Sequence, residues 1–260
     1  MIRSRIRASL TLACLLVAGA LQPPSADTIR EFAAWFARPA LLPFAWQGYE
    51  EAQRRGSAEE MFLRAQQVMR LVPTWTDGYL VFAIDFVLAP ADADADAGQR
   101  AADAWQRLQL ATAWLEAARP AVGRREAAVL QTLAMLPEVA VASEPGLAER
   151  LRPQGGAAAL ADQYLAELER RAPGPEVREQ RTFLAPAIAG ALLAAGRPQH
   201  AVAVLRLAID RSRDVRDRAL AAEWRTRLEE VVRHLSGEPG VDLRAVFADP
   251  RLQPLHPHLR

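Results

Sequence analysis

The chain of 260 residues has no lysine and no asparagine, and all 32 basic residues are arginine. These absences exclude a Schiff-base lysine, a P-loop lysine and an N-glycosylation sequon. Arginine-only basicity of this kind reflects a GC-rich coding sequence rather than a function. There is one cysteine, Cys14, and there are only four histidines and seven serines. The serines and histidines show no triad-like arrangement, and Gly-x-Ser-x-Gly, His-Glu-x-x-His and Gly-x-Gly-x-x-Gly are all missing. No run of alternating β-branched residues marks a strand. A net charge of +1 gives no reason to expect nucleic acid. No cofactor is expected.

What is present begins with a targeting pattern. Arg3, Arg5 and Arg7 precede an apolar run, Ala8 to Leu21, that ends at Gln22-Pro23-Pro24. As a helix this run spans about 21 Å, short of the roughly 30 Å hydrocarbon core. It therefore fits a signal-peptide h-region, with Ala18-Gly19-Ala20 as the small residues of a cleavage site. Residues 1–26 are expected to be a signal peptide, and the protein periplasmic or secreted. The alternative is an uncleaved anchor through residues 6–21, giving membrane association at the N-terminus. Cleavage would remove Cys14, and with it any thiol nucleophile, disulfide or cysteine metal site. It would leave 29 arginines against 31 acids.

Ala, Leu, Arg, Glu and Gln dominate residues 27–260, and all are good helix formers. Ile29, Phe32, Ala33 and Phe36 recur at helical spacing. So do Ala157, Leu160, Ala161, Tyr164, Leu165 and Leu168, and again Leu220, Trp224, Leu228, Val231, Val232 and Leu235. Prolines and glycines place turns near 39–43, 55–57, 72–75, 89–98, 119–123, 137–146, 152–156, 172–175 and 196–198. Loops this short make neighbouring helices antiparallel.

A repeat shows through these turns. Gly56, Met61, Ala65 and Val68 have the same spacing as Gly196, Ala201, Leu205 and Ala208. Tyr79-x2-Phe82-Ala83-x2-Phe86 has a counterpart in Ala185-x2-Ile188-Ala189-x2-Leu192. Units starting at Leu42 and Thr76 are 34 residues apart. This pattern resembles the tetratricopeptide repeat over roughly 42–120 and 176–235, with degenerate motifs. The resemblance implies an all-α fold: an antiparallel helix-pair solenoid wound as a right-handed superhelix. An Asp/Ala-rich loop at 89–99 interrupts it, 123–155 fits no clean repeat, and 241–260 is a capping segment through Leu243, Val246, Phe247, Leu252 and Leu255.

The resemblance further implies a non-enzymatic interaction scaffold that binds a peptide or protein in a groove lined by first helices. At the matching positions that lining is Trp46, Glu50, Leu80, Ile84, Pro186 and Gly190, mostly apolar. Chaperone-tail binders of this family use Lys and Asn, which are absent here, so an apolar helix or extended segment is the expected ligand. Trp35, Phe36, Phe44 and Trp46 are expected as further anchors. The competing function is a helical hydrolase of envelope glycans. Its mark would be two carboxylates facing each other across a cleft, one with a raised pKa.

Three other clusters have plain readings. Asp92, Asp94 and Asp96, followed by Gly98 and Asp103, alternate like a calcium loop. The turn glycine is misplaced, however, and the closing acid is Asp rather than Glu, so a solvated linker is expected. His256-Pro257-His258 is expected as a frayed polar tail. The eight arginines of 206–233 interleave with six acids, so ion pairs such as Arg213–Asp217 and Asp214–Arg218 are expected on a solvated face.

Overall fold

A computed structural model describes residues 26–90 and 94–259, with side chains from residue 40 onward. The leader, Asp92 and the side chains of Trp35 and Phe36 lie outside these residues. Eleven α-helices and four 3-10 turns make up the described chain, and it contains no strand. The helices are α1 (Ala26–Arg55), α2 (Ala58–Leu71), α3 (Thr76–Leu88), α4 (Ala97–Val122), α5 (Glu126–Ser143), α6 (Leu147–Leu151), α7 (Gly156–Arg171), α8 (Pro175–Ala194), α9 (Pro198–Arg211), α10 (Arg218–Leu235) and α11 (Arg244–Ala248). Among the described residues, no helix is long and apolar enough to cross a membrane.

The helices pack as successive pairs: α1 on α2, α3 on α4, α5 on α7, α8 on α9. The reasons are local. Gly56 takes φ +71°, a left-handed conformation open to glycine, and ends α1. Ser57 then caps α2, its hydroxyl accepting from the Glu60 amide at 3.3 Å. Asp96 caps α4 and Asp217 caps α10 in the same way. Each pair buries the apolar stripe seen in the sequence: Met61, Ala65 and Val68 on α2, Ala201, Leu205 and Ala208 on α9. First helices also touch one another. Tyr49 of α1, buried, donates to the Asp85 carboxylate of α3 at 2.6 Å, and α3 packs on α5. The irregular 123–155 stretch proves to be the helix α5 plus the short α6, and α5 makes the most extensive packing in the chain, against α7.

The buried side chains fall into two clusters. The first runs from Tyr49 through Leu168 and includes Phe82, Phe86, Trp114, Leu130, Leu133 and Leu136. The second joins α8, α9, α10 and the C-terminal segment, through Ile188, Leu205, Trp224, Leu228 and Leu255. Ala158 of α7 belongs to the second cluster and Ala161 and Leu165 to the first, so α7 is the seam.

Four expectations are corrected. The helix α1 runs straight through Pro39 and Pro43, and α5 through Pro137, where turns were expected. An interior proline removes one backbone hydrogen bond. Here the apolar stripe continues on both sides of Pro137, which is itself buried in the core. The C-terminal tail is not frayed: Pro250–His258 is a 3-10 turn that buries Leu252 and Leu255, and His256 Nε2 lies 3.2 Å from the Val246 carbonyl. Arg213–Asp217 and Asp214–Arg218 do not form, because residues 212–217 leave the α-helix. Asp217 is taken up as the α10 cap and Arg218 donates to the Arg213 carbonyl.

Candidate functional site

Of the expected groove residues, Trp46 and Glu50 meet on α1, Leu80 and Ile84 lie on α3, and Pro186 and Gly190 lie on α8. Trp46 is half-buried, and its indole Nε1 donates to the exposed Glu50 at 2.7 Å. Leu80 and Ile84 are half-buried against the first core. Pro186 and Gly190 are buried, because the C-terminal 3-10 turn lies on α8. A Cβ at Gly190 would collide with the Pro254 carbonyl oxygen. This chain's own tail therefore occupies the face those two residues were expected to offer. Of the expected anchors, Phe44 stands 73 % exposed on α1. Beside it Leu42, Pro43, Trp46, Val72 and Trp75 line an apolar hollow of about 350 Å³, with the Trp46 and Trp75 rings 5.9 Å apart.

The largest of the described cavities lies elsewhere, between α5 and α8. The volume is about 680 Å³. It exists because α7 packs against both helices and holds them apart, whereas α3 and α5 pack directly. Ala161 and Leu165 of α7 form its floor, and both are buried. Small side chains at Ala134 and Ala161 leave the space unfilled. Met135, Phe183 and Leu184 supply apolar wall, and Met135 is 43 % exposed.

Three carboxylates enter this cleft: Glu138 from α5, Glu176 and Glu179 from α8. Glu176 is held by Arg216 at 3.0 Å. Glu138 and Glu179 make no ion pair or hydrogen bond among the described residues. Elsewhere, between α4, α5 and α7, Arg119 pairs with Glu116, Glu126 and Glu167, and Arg171 with Glu126 and Glu167. Arg181 likewise holds Asp162 and Glu169 at 2.6 and 2.7 Å. Glu138 is exposed to solvent, with the cleft walls covering part of it. Its carboxyl is consequently raised above the ordinary value by desolvation. A positive group entering the cleft would oppose that shift.

The cleft residues carried a signal in the sequence. The eighteen residues of α5 include no basic side chain, so Glu138 can have no partner on its own helix. Glu179 has Glu176, Pro175, Thr182 and Phe183 at the positions where helical ion pairs form. Glu138 has no arginine within one helical turn, whereas Glu179 has Arg178 and Arg181 nearby in sequence but not at the spacing that pairs them on a helix.

The aspartate loop has other uses. Asp96 accepts from the Gln99 amide at 2.8 Å, and Asp103 accepts from the Gln99 side chain at 2.8 Å. No group of three metal-ligating side chains occurs among the described residues.

Comparison with known proteins gives no match: no family model, no curated protein and no solved structure is similar to this chain.

Proposed function

We propose that this protein is a tetratricopeptide-like, right-handed solenoid acting as a non-enzymatic interaction scaffold. Residues 1–26 direct it to the cell envelope, as the basic n-region and short apolar run suggest; a reporter that stays cytosolic when fused to them would remove this part. The partner is a peptide segment carrying arginine or lysine among apolar residues. It binds between α5 and α8 rather than along the groove expected from the repeat register. The observation that carries this is the pair of unpartnered carboxylates, Glu138 and Glu179, in an open cleft walled by Met135, Phe183 and Leu184. Apolar walls supply affinity and the acids choose the sign of the ligand.

Fluorescence anisotropy against two sets of amphipathic peptides, cationic and anionic but equal in hydrophobicity, tests the proposal. The cationic set should bind at least about tenfold more tightly, an advantage of about 1.4 kcal/mol. Glu138→Gln with Glu179→Gln should abolish the preference, and Phe183→Ala should weaken binding to both sets. Equal binding of the two sets by the parent protein would sink the proposal.

A second reading has one observation in its favour. A desolvated Glu138 facing acids across a cleft is the arrangement that glycan hydrolysis uses, a protonated acid opposite an ionised one. Release of reducing ends from cell-wall glycan by the full chain, lost in Glu138→Gln, would favour it over the scaffold.

A further inference from the structure

A second cavity, of about 510 Å³, opens between α2 and α4. Phe62 of α2, Leu110 of α4 and Pro90 form apolar wall, and Glu59 and Asp103 bring negative charge. The notable lining residue is Arg107. It lies on the apolar stripe of α4, with Ala104, Leu108 and Ala111, and is only 8 % exposed. Its Nε is buried with no acceptor, and the guanidinium makes no ion pair or hydrogen bond among the described residues.

A guanidinium whose Nε–H is buried without a partner is a costly arrangement. The nearest acids do not relieve it. Asp103 and Glu144 act on Arg107 only at longer range. Asp103 is engaged by Gln99, and Glu144 by Arg100 at 3.4 Å and by the Gly146 amide. An acceptor arriving through the cavity would meet an Nε–H already shielded from water, which strengthens a charge-assisted bond.

The chemistry of the acceptor follows from the rest of the lining. With Glu59 and Asp103 beside a single arginine, the ionisable lining sums to a negative charge. A phosphate or other dianion is disfavoured there. A ligand that places a carboxylate on Arg107 and a positive amine toward the two acids satisfies both. We propose that the cavity between α2 and α4 binds a free α-amino acid with an apolar side chain, Arg107 gripping its carboxylate. Glu59 and Asp103 receive the ammonium group, and Phe62, Leu110 and Pro90 receive the side chain. The carboxylate and ammonium of an α-amino acid sit on one carbon, which suits a site where acid and base line one small hollow.

Titration calorimetry of the full chain with L-leucine and L-phenylalanine tests this. Propionate, isoamylamine and inorganic phosphate serve as comparison ligands. One saturable site for an amino acid is expected, with binding at least about tenfold weaker when either the amine or the carboxylate is missing. Arg107→Gln should lose the binding. Asp103→Asn should keep carboxylate binding and lose the preference for amino acid over propionate, which tests the assignment even where Arg107→Gln does not fold. Absence of amino-acid binding, or phosphate binding as tight as the amino acid, would overturn the proposal.

Discussion

Ala201 and His200 are adjacent in α9 and stand in opposite environments. Ala201 is fully buried where α9 meets α8, at the position that the spacing from Gly196 marks for close helix approach, while His200 is exposed. Across the contact lie Ala185, Ile188 and Ala189, all buried. A leucine at 201 must displace atoms that have no free space beside them. Overpacking of this kind costs about 1–3 kcal/mol. Ala201→Leu should therefore lower the urea midpoint read by circular dichroism, and His200→Ala should leave it within about 0.5 kcal/mol of the parent. Near-equal midpoints for the parent and Ala201→Leu would mean that the α8–α9 contact is looser than it stands here. This much was legible in the sequence, because a small residue at helical spacing after a turn glycine admits few structural uses. Glu138 and Arg107 were legible only in part. Their departure from pattern, an acid without a basic neighbour and a base on an apolar stripe, could be read along the chain. The cavities that give them meaning could not, because those depend on which helices α7 and α4 keep apart.

At the scale of the element, the C-terminal segment shows how a polar tail becomes part of the core. Asp249 accepts from the amide and side chain of Arg251, at 3.0 and 2.7 Å, and pairs with Arg227 of α10. Arg251 in turn stacks over Trp224, 5.1 Å from the ring centre. The Asp249 side chain is 1 % exposed, so its charge is screened little by solvent. The bonds from Arg251, against the opposing cost of burial, hold the carboxyl at about 2, below its ordinary 3.8. A depressed carboxyl stabilises the fold fully above its unfolded value and loses that contribution as pH falls through the folded one. The segment 249–259 should thus loosen between about pH 4 and pH 2, by an amount on the order of 2 kcal/mol. Hydrogen exchange of amides 250–259, followed together with Trp224 fluorescence, measures this. Asp249→Asn should show the loosened state already at neutral pH; protection equal to the parent at pH 7 would count against the account. Individual prolines had suggested breaks along the chain, yet α1 and α5 pass through theirs. Sequence reading treats a proline as a stop on local grounds. In α5 the apolar stripe buried on both sides of Pro137 overrides that cost through packing, which is a tertiary effect.

On the scale of the whole molecule, the two hydrophobic clusters meet at α7, and the α5–α8 cleft lies across that seam. In an array of helix pairs each unit is stabilised by itself and by its neighbours, so a weak boundary separates unfolding events. Here the boundary is weakened where α5 and α8 stand apart, with α7 bridging them. Leu133 and Leu205 are each essentially fully buried, one in each cluster. Truncation of either to alanine costs about 2–5 kcal/mol. Leu133→Ala should move one urea transition and Leu205→Ala the other, read by circular dichroism and by the fluorescence of Trp224 in the second cluster. Identical shifts in both signals for both variants would show a single cooperative unit. The seam also bears on function. A ligand that touches α5 and α8 together contacts both clusters, and its binding energy appears only when both are folded and correctly spaced. A cationic amphipathic peptide should therefore draw the two transitions toward one another as its concentration rises, while a ligand confined to the α2–α4 cavity should raise the first transition alone. The two sites are in this way separable by one unfolding experiment, with neither partner identified beforehand.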